Sequence, residues 1–133
     1  MAEKSRQRVK TEHLIVGVDD DYRVRESLAS LLESAGYRSS MFASAEVFLR
    51  SEDLGGADCL VTDLRMPGMD GLELARSVRA IRPELPIIFI SAHFEEGTRR
   101  IAQEEGALGL LYKPFATAEL LELIRSALPR RCG

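Results

Sequence analysis

The sequence predicts an α/β fold in which one parallel sheet is covered by helices on both faces. Five short β-type runs alternate with five segments whose apolar residues recur at helical spacing. The first, third and fourth runs are apolar on both faces, as expected of strands that are buried on both sides of a sheet. Right-handed crossovers make an open, doubly wound (βα)5 sheet the simplest arrangement of these units.

The element boundaries follow from these two periodicities. The predicted strands cover residues 14–18, 37–41, 57–62, 86–91 and 108–112, and the predicted helices cover residues 22–35, 44–50, 71–81, 95–105 and 116–128. The first helix has the clearest pattern, because Val24, Leu28 and Leu31 lie on one face. Gly36 behind it suits a left-handed C-terminal cap.

The later helices carry recognisable start and stop signals. Asp70 precedes the third helix and Glu73 follows three residues later, which is the pattern of a capping box. The fourth helix has acidic residues in its first turn and ends before Gly106. Leu120 and Ile124 give the fifth helix its apolar face.

Composition excludes several classes of protein. The chain has 133 residues, which fits one domain, and its net charge of −3 argues against direct nucleic-acid binding. Apolar runs of four or five residues are far short of the roughly 20 that a membrane span needs. Cys59 is predicted in the core and Cys132 in the tail, with no disulfide framework, so a cytoplasmic location is expected. We expect a flexible arm over residues 1–12, a domain over residues 13–129 and a tail over residues 130–133.

Polar side chains follow four of the predicted strands at their C-terminal ends. Asp19 and Asp20 follow the first strand, Asp63 the third, and Lys113 the fifth, while Ser91 ends the fourth. Ligands of open α/β sheets bind beyond the carboxyl ends of the strands. We therefore expect these three carboxylates, one hydroxyl and one ammonium to converge at one edge of the sheet.

The charges of this group predict a cation site. Each pair of carboxylates among Asp19, Asp20 and Asp63 would repel by about 4 kcal/mol at about 4 Å and an effective dielectric of about 20. Lys113 offsets one negative charge, and a divalent cation would neutralise the remaining two. Oxygen ligands in small number favour Mg²⁺, which keeps several waters and bridges to phosphate oxygens.

Asp63 is the candidate nucleophile of this group. A carboxylate can attack phosphorus to form an aspartyl phosphate, and the loop that follows Asp63 would expose it. Ser91 and Lys113 can contact the phosphoryl oxygens. Taken singly, each residue is more simply a helix cap or a surface charge, and Asp21 is predicted to be the N-cap of the first helix. Only their joint position at successive strand ends favours the functional interpretation.

Four motifs resemble the receiver domain of two-component response regulators over residues 14–128. They are Val18-Asp19-Asp20-Asp21, Thr62-Asp63-Leu64-Arg65-Met66-Pro67-Gly68-Met69-Asp70-Gly71, Ile90-Ser91-Ala92 and Tyr112-Lys113-Pro114-Phe115. The stretch Phe42-Ala43-Ser44-Ala45-Glu46 further resembles FixJ-like receivers. The resemblance implies a flavodoxin-like fold with strand order 2-1-3-4-5.

The resemblance also implies a function and a metal site. Asp63 would accept a phosphoryl group from a phosphohistidine of a sensor histidine kinase, in a self-phosphorylating and self-dephosphorylating reaction rather than as a turnover enzyme. Asp20 and Asp63 would ligate Mg²⁺ directly, Asp19 through water, and Arg65 through its main-chain carbonyl.

The resemblance assigns the phosphoryl contacts and a possible interface as well. Ser91 and Lys113 would contact the phosphoryl oxygens, and the peptide bond between Lys113 and Pro114 would be cis. A homodimer through the fourth helix, the fifth strand and the fifth helix is a further possibility.

One departure from the family pattern concerns the aromatic residue that usually lies three positions before the lysine. That position is Leu110, and Tyr112 is predicted on the same face of the strand. Tyr112 either takes over part of the missing role or simply packs beside the fifth helix. The thin apolar stripe of the fourth helix, Ile101 and Ala102, predicts that phosphorylation shifts this helix first. Arg65 and His93 are expected to border the path of water to the phosphoryl group.

Other functions compete with this one. A haloacid-dehalogenase-type phosphatase needs a second aspartate where this chain has Arg65, and three aspartates after the first strand would repel the phosphate of a flavodoxin-type cofactor. A receiver-like module that binds partners without phosphorylation is the remaining alternative. Because only residues 129–133 follow Leu128, we expect either a stand-alone regulator or a receiver excised from a longer DNA-binding protein.

Overall fold

The fold of the chain is a five-stranded parallel sheet with the order β2-β1-β3-β4-β5, as the family resemblance implies. The computed structural model describes residues 12–92 and 97–128. The strands are β1 (Leu14–Val18), β2 (Arg38–Phe42), β3 (Cys59–Asp63), β4 (Ile87–Ser91) and β5 (Gly109–Tyr112). All four neighbouring pairs are parallel.

The helices connect these strands across the two faces of the sheet. They are α1 (Tyr22–Ser34), α2 (Ala45–Leu49), α3 (Asp53–Gly56), α4 (Gly71–Ile81), α5 (Thr98–Glu104) and α6 (Thr117–Ala127). Five of them correspond to the predicted helices. The predicted fourth helix corresponds to α5, and the residues assigned to its start, 95 and 96, lie outside the described part of the chain, as do His93 and most of the predicted arm and tail.

The single turn α3 was not predicted, because its sequence contains two glycines. A distant side chain holds it in place: the guanidinium of Arg82 donates hydrogen bonds to the carbonyls of Leu54, Gly55 and Ala57. A tertiary contact therefore overrides the local preference of this segment.

Four strands, β2 to β5, begin one or two residues later than predicted. β2 starts at Arg38, because the amide of Tyr37 still donates to the carbonyl of Leu32 at the end of α1. β3 starts at Cys59 and extends to Asp63, which pairs in register with Ile90. The candidate nucleophile is therefore the last residue of a strand rather than the first residue of a loop.

The core consists of two apolar layers, one on each face of the sheet. β1, β3 and β4 are buried at every position, which confirms their predicted location inside the sheet. Leu28 and Leu32 of α1 pack with α6 on one face, and Leu74 of α4 packs with α2 and α5 on the other. Cys59 is buried as predicted, and burial raises the pKa of its thiol to about 12.

The predicted caps are confirmed. Asp21 accepts a hydrogen bond from the amide of Arg23 at the start of α1, and Asp70 forms a capping box with Glu73. Gly36 has φ +93° behind α1. No helix within the described ranges is long and apolar enough to span a membrane.

Candidate functional site

The C-terminal edge of the sheet brings three carboxylates together. Asp19 follows β1 directly, Asp63 ends β3, and Asp20 is next to Asp19. One oxygen from each carboxylate lies within 4.8 Å of the others. The predicted convergence of these three carboxylates is confirmed.

Lys113 joins two of these carboxylates. Its Nζ donates to Asp19 Oδ2 at 2.9 Å and to Asp63 Oδ2 at 3.2 Å. Its main-chain amide donates to the carbonyl of Ser91 at 2.8 Å, which ties the end of β5 to the end of β4. The bond from Lys113 to Pro114 is cis, as the resemblance implies. One ammonium thus faces three carboxylates, and two negative charges remain uncompensated within this group.

Asp19 and Asp20 differ in their surroundings although they are neighbours in the chain. Asp19 is fully buried, its amide donates to the carbonyl of Phe42 at 3.1 Å, and its Oδ1 accepts from the amide of Asp21 at 2.8 Å. Asp20 is exposed. The exposed carboxylate of Asp20 is the one of the two that a hydrated cation reaches most easily.

The electrostatics around Asp63 favour a bound cation. Only 6% of Asp63 is exposed, and its Oδ1 accepts a hydrogen bond from the amide of Arg65 at 3.2 Å. Burial, followed by the charge of Asp19, raises the pKa of Asp63 despite the opposing contacts with Arg65 and Lys113. Burial lowers the pKa of Lys113, but its bonds to Asp19 and Asp63 outweigh this and leave the pKa raised. The all-oxygen donor set fits Mg²⁺.

A small cavity lies between the loop after β3, which begins at Leu64, and α5. Its volume is about 170 Å³, and Ser91, Arg65 and Thr98 are among the residues that line it. Ser91 is buried at the end of β4, where the sequence places it. Thr98 is also almost completely buried, and sequence analysis did not identify it. Only the tertiary fold shows that its hydroxyl shares a cavity with Ser91.

Glu46 fixes the loop after β3 from a distance. Its Oε2 accepts a hydrogen bond from the amide of Met69 at 3.0 Å, and this bond is the main reason that the pKa of Glu46 is lowered. Two residues after Met69, Gly71 lies so close to the carbonyl of Asp63 that a Cβ atom would overlap it. The sequence identified Glu46 only as a subgroup marker, because nothing local predicts a contact 23 residues away.

A larger groove of about 590 Å³ opens beside Lys113, between α1 and the start of α6. It is lined by Asp21, Arg23, Val24, Ser27, Lys113, Pro114, Phe115 and Thr117. The groove shares Lys113 with the carboxylate cluster, so a molecule bound in it would contact the residue whose ammonium bonds to Asp63.

Leu110 and Tyr112 occupy the same face of β5, as predicted. Both belong to the apolar layer that contains Leu74 and Ala102. The guanidinium carbon of Arg99 lies 5.7 Å from the centroid of the Tyr112 ring. Tyr112 therefore packs on the side of α5, and the alternative that it packs beside the predicted fifth helix, here α6, is wrong.

Comparisons with known proteins agree with this geometry. A family model described as the response regulator receiver domain matches residues 15–125. The response regulator protein TodT of Pseudomonas putida is 41% identical over 111 residues, which are 84% of this chain and 49% of TodT. The solved structure of the response regulator StyR is 42% identical, with a TM-score of 0.79 over 86% of this chain and 58% of that chain. FixJ-N is 35% identical, with a TM-score of 0.78 over 91% of this chain and 97% of that chain. The chain spans about half the length of the curated relatives that it matches.

Proposed function

The chain belongs to the response regulator receiver domain family, and we propose that Asp63 is its phosphoacceptor in a Mg²⁺-dependent reaction. The observation that carries this proposal is the position of Asp63 at the end of β3, where one of its oxygens meets Lys113 and another meets the Arg65 amide. A carboxylate oxygen of Asp63 would form the bond to phosphorus. The bond from phosphorus to the donor atom would break, and its electron pair would leave with the donor.

The surrounding residues supply charge and position for this transfer. Asp20 and Asp63, the carbonyl of Arg65, and Asp19 through water would hold the Mg²⁺ ion, which neutralises the carboxylates and the phosphoryl oxygens when bound. Lys113 is already within hydrogen-bond distance of Asp63, so its ammonium can follow the negative charge as it moves onto the phosphoryl oxygens.

The donor that we propose is a phosphohistidine of a sensor histidine kinase, since receiver domains receive their phosphoryl group from such kinases. The groove between α1 and α6 supports this, because it gives a large donor access to the edge of the site at Lys113. A small phosphodonor would need only the exposed side of the cluster at Asp20.

We place the receiver domain at residues 13–129 and propose that phosphorylation controls an effector or a partner outside it.

The region of α5, β5 and α6 is the candidate interface of a homodimer, because Ile101 and Leu108 are exposed apolar residues there and β5 is an edge strand. Sedimentation velocity before and after phosphorylation tests this. We expect a dimer after phosphorylation that Ile101→Asp prevents, and a monomer in both states would contradict it.

Incubation with acetyl phosphate and Mg²⁺, followed by intact-mass measurement, tests the phosphoacceptor. The wild-type chain is expected to gain one phosphoryl group, and Asp63→Asn is expected to gain none. Asp53→Asn is the control, because Asp53 lies in α3 and its Oδ2 bonds to Ser40 away from the site. No gain in the wild type would favour the receiver-like binding module, and a gain in Asp63→Asn would place the acceptor elsewhere.

A further inference from the structure

Arg25 contacts the main chain of the carboxylate cluster from the first helix. Its Nη1 donates a hydrogen bond of 2.8 Å to the carbonyl oxygen of Asp19, six residues earlier in the chain. Asp19 is fully buried, so its carbonyl is shielded from water. Without Arg25 a buried acceptor would lose its charged donor, which is a costly loss for the local structure.

Two arginines near the start of α1 are unfavourable for the helix itself. The N-terminal end of a helix carries a partial positive charge, and the first turn of α1 contains no acidic residue to offset it. Arg23 is compensated by its ion pair with the N-cap Asp21 at 3.4 Å. Arg25 instead reaches the carbonyl of Asp19. A residue that opposes the local helix preference and contacts a functional site is a candidate for a role in that site.

The bond from Arg25 completes the set of contacts that hold Asp19. The amide of Asp19 bonds to Phe42, its Oδ1 to the amide of Asp21, and its Oδ2 to Lys113. Arg25 engages the carbonyl, the last polar group of the residue. The orientation of the Asp19 carboxylate, and through it the position of Lys113, therefore depends on four partners from three separate segments of the chain.

The guanidinium of Arg25 is itself held in place. Its carbon lies 5.7 Å from the centroid of the Tyr22 ring, within the range of a cation–π contact. Two fully buried leucines, Leu28 and Leu32, anchor the helix that carries Arg25. The donor thus comes from a firmly packed helix, and its guanidinium has a second contact besides the bond to Asp19.

We propose that Arg25 is a positioning residue for the metal and phosphoryl site, acting through the Asp19 carbonyl. The inference rests on the proposed function of the cluster. Two effects of Arg25 have opposite signs. As a positive charge it repels a divalent cation, so its removal alone would strengthen Mg²⁺ binding. As a positioning residue it orients the carboxylates, so its removal weakens Mg²⁺ binding.

Calorimetric Mg²⁺ titration of the full chain distinguishes these effects. Arg25→Met is expected to weaken binding by about 10-fold, the lower end of the usual effect of residues that orient metal ligands. Arg23→Met is the matched control, since it removes the same charge from the same helix without the bond to Asp19. Its affinity is expected to equal or exceed that of the wild type. If Arg25→Met does not fold, Arg25→Gln serves instead, since it removes the charge with a shorter polar side chain. Weaker or stronger Mg²⁺ binding by this variant is interpreted in the same way.

Amide hydrogen exchange in metal-free protein gives a second readout. The amide of Asp21 donates to Asp19 Oδ1, so its protection reports the orientation of the Asp19 carboxylate. In Arg25→Met this amide is expected to exchange faster, while the amide of Leu32 keeps its wild-type rate. Mg²⁺ binding as tight as or tighter than wild type in the Arg25 variant would overturn the positioning role alone. A wild-type chain that does not bind Mg²⁺ would overturn the proposed function and this inference with it.

Discussion

The two flanks of the site differ in how firmly they are held. The β1–α1 flank, residues 19–34, leads into a helix of 13 residues with a side-chain cap from Asp21. The β4–α5 flank, residues 91, 92 and 97–104, leads into a helix of seven residues that starts at a left-handed glycine and has no side-chain cap. Leu28 and Leu32 are buried in α1, whereas α5 buries Thr98 and Ala102.

This difference separates two tasks within one site. The flank that carries Asp19 and Asp20, the proposed metal ligands, would have to keep its geometry, because carboxylates displaced by about half an ångström no longer share a cation well. The flank that carries Ser91 lines the cavity next to the loop after β3, and it has little apolar burial to lose when it moves. The molecule thus combines a fixed binding side with a responsive side, and three predictions test this division.

The largest expected difference is between the local unfolding of α1 and that of α5. Two buried leucines contribute about 3 kcal/mol or more to α1. Amides of α5 are therefore expected to exchange about 100-fold faster than those of α1 in the unphosphorylated protein. After phosphorylation, the change in exchange is expected to be greatest in α5. Hydrogen-exchange mass spectrometry measures both.

α4 is the internal control for this measurement. It lies beside the loop after β3, yet it has a capping box and four buried residues, so it should exchange as slowly as α1. Equal changes in all helices after phosphorylation would show that burial does not direct the response and would contradict the division between the flanks.

The second prediction concerns the cost of the carboxylate cluster. Asp63→Asn is expected to raise the free energy of unfolding of the metal-free protein at neutral pH by roughly 1 to 2 kcal/mol. The gain comes from removing the repulsion between two carboxylates, about 4 kcal/mol at about 4 Å. It is smaller than the full repulsion because Lys113 already offsets much of it. Urea denaturation of both proteins measures it. Saturating Mg²⁺ is expected to stabilise the wild type more than the variant and to reduce the difference.

The stability difference between the wild type and Asp63→Asn depends on pH, and the direction follows from the raised pKa of Asp63. As the pH rises, the Asp63 carboxyl of the unfolded chain ionises near its ordinary pKa of 3.8. The same carboxyl in the folded protein ionises only at a higher pH, because its pKa is raised. Wild-type stability is therefore lost, relative to Asp63→Asn, as the pH rises through the pKa of the folded state. The two proteins should differ least below pH 3.8. If the stability advantage of Asp63→Asn shrank as the pH rose, repulsion at Asp63 would be contradicted.

The sequence was sufficient for those features that depend on local pattern and on position along a strand. The apolar runs predicted the parallel sheet, and the positions of Asp19, Asp63 and Lys113 at strand ends predicted their convergence. Lys113 is the only lysine in the four motifs, so its ammonium was the one expected to contact these carboxylates.

Contacts between distant segments were beyond prediction from the residues. The turn α3 depends on Arg82, which lies more than 20 residues away, and the loop after β3 depends on Glu46. The sequence gives one local indication of Arg25, namely a positive charge near the N-terminus of a helix, where such a charge is unfavourable. That signal does not name its partner, since the carbonyl of Asp19 becomes a neighbour only when α1 packs on the sheet.

The smallest expected effect concerns Tyr112, which links β5 to the responsive flank. A partly exposed cation–π contact contributes about 0.5–1 kcal/mol, so a double-mutant cycle between Tyr112→Leu and Arg99→Met should give a coupling of that size. Tyr112→Phe keeps the ring and should retain most of it. If Tyr112 takes over part of the role that Leu110 cannot fill, Tyr112→Leu should also reduce the change in α5 exchange after phosphorylation. An unchanged response in α5 would make Tyr112 a packing residue only, because the response would then reach α5 through Ser91 and the cavity it shares with Thr98.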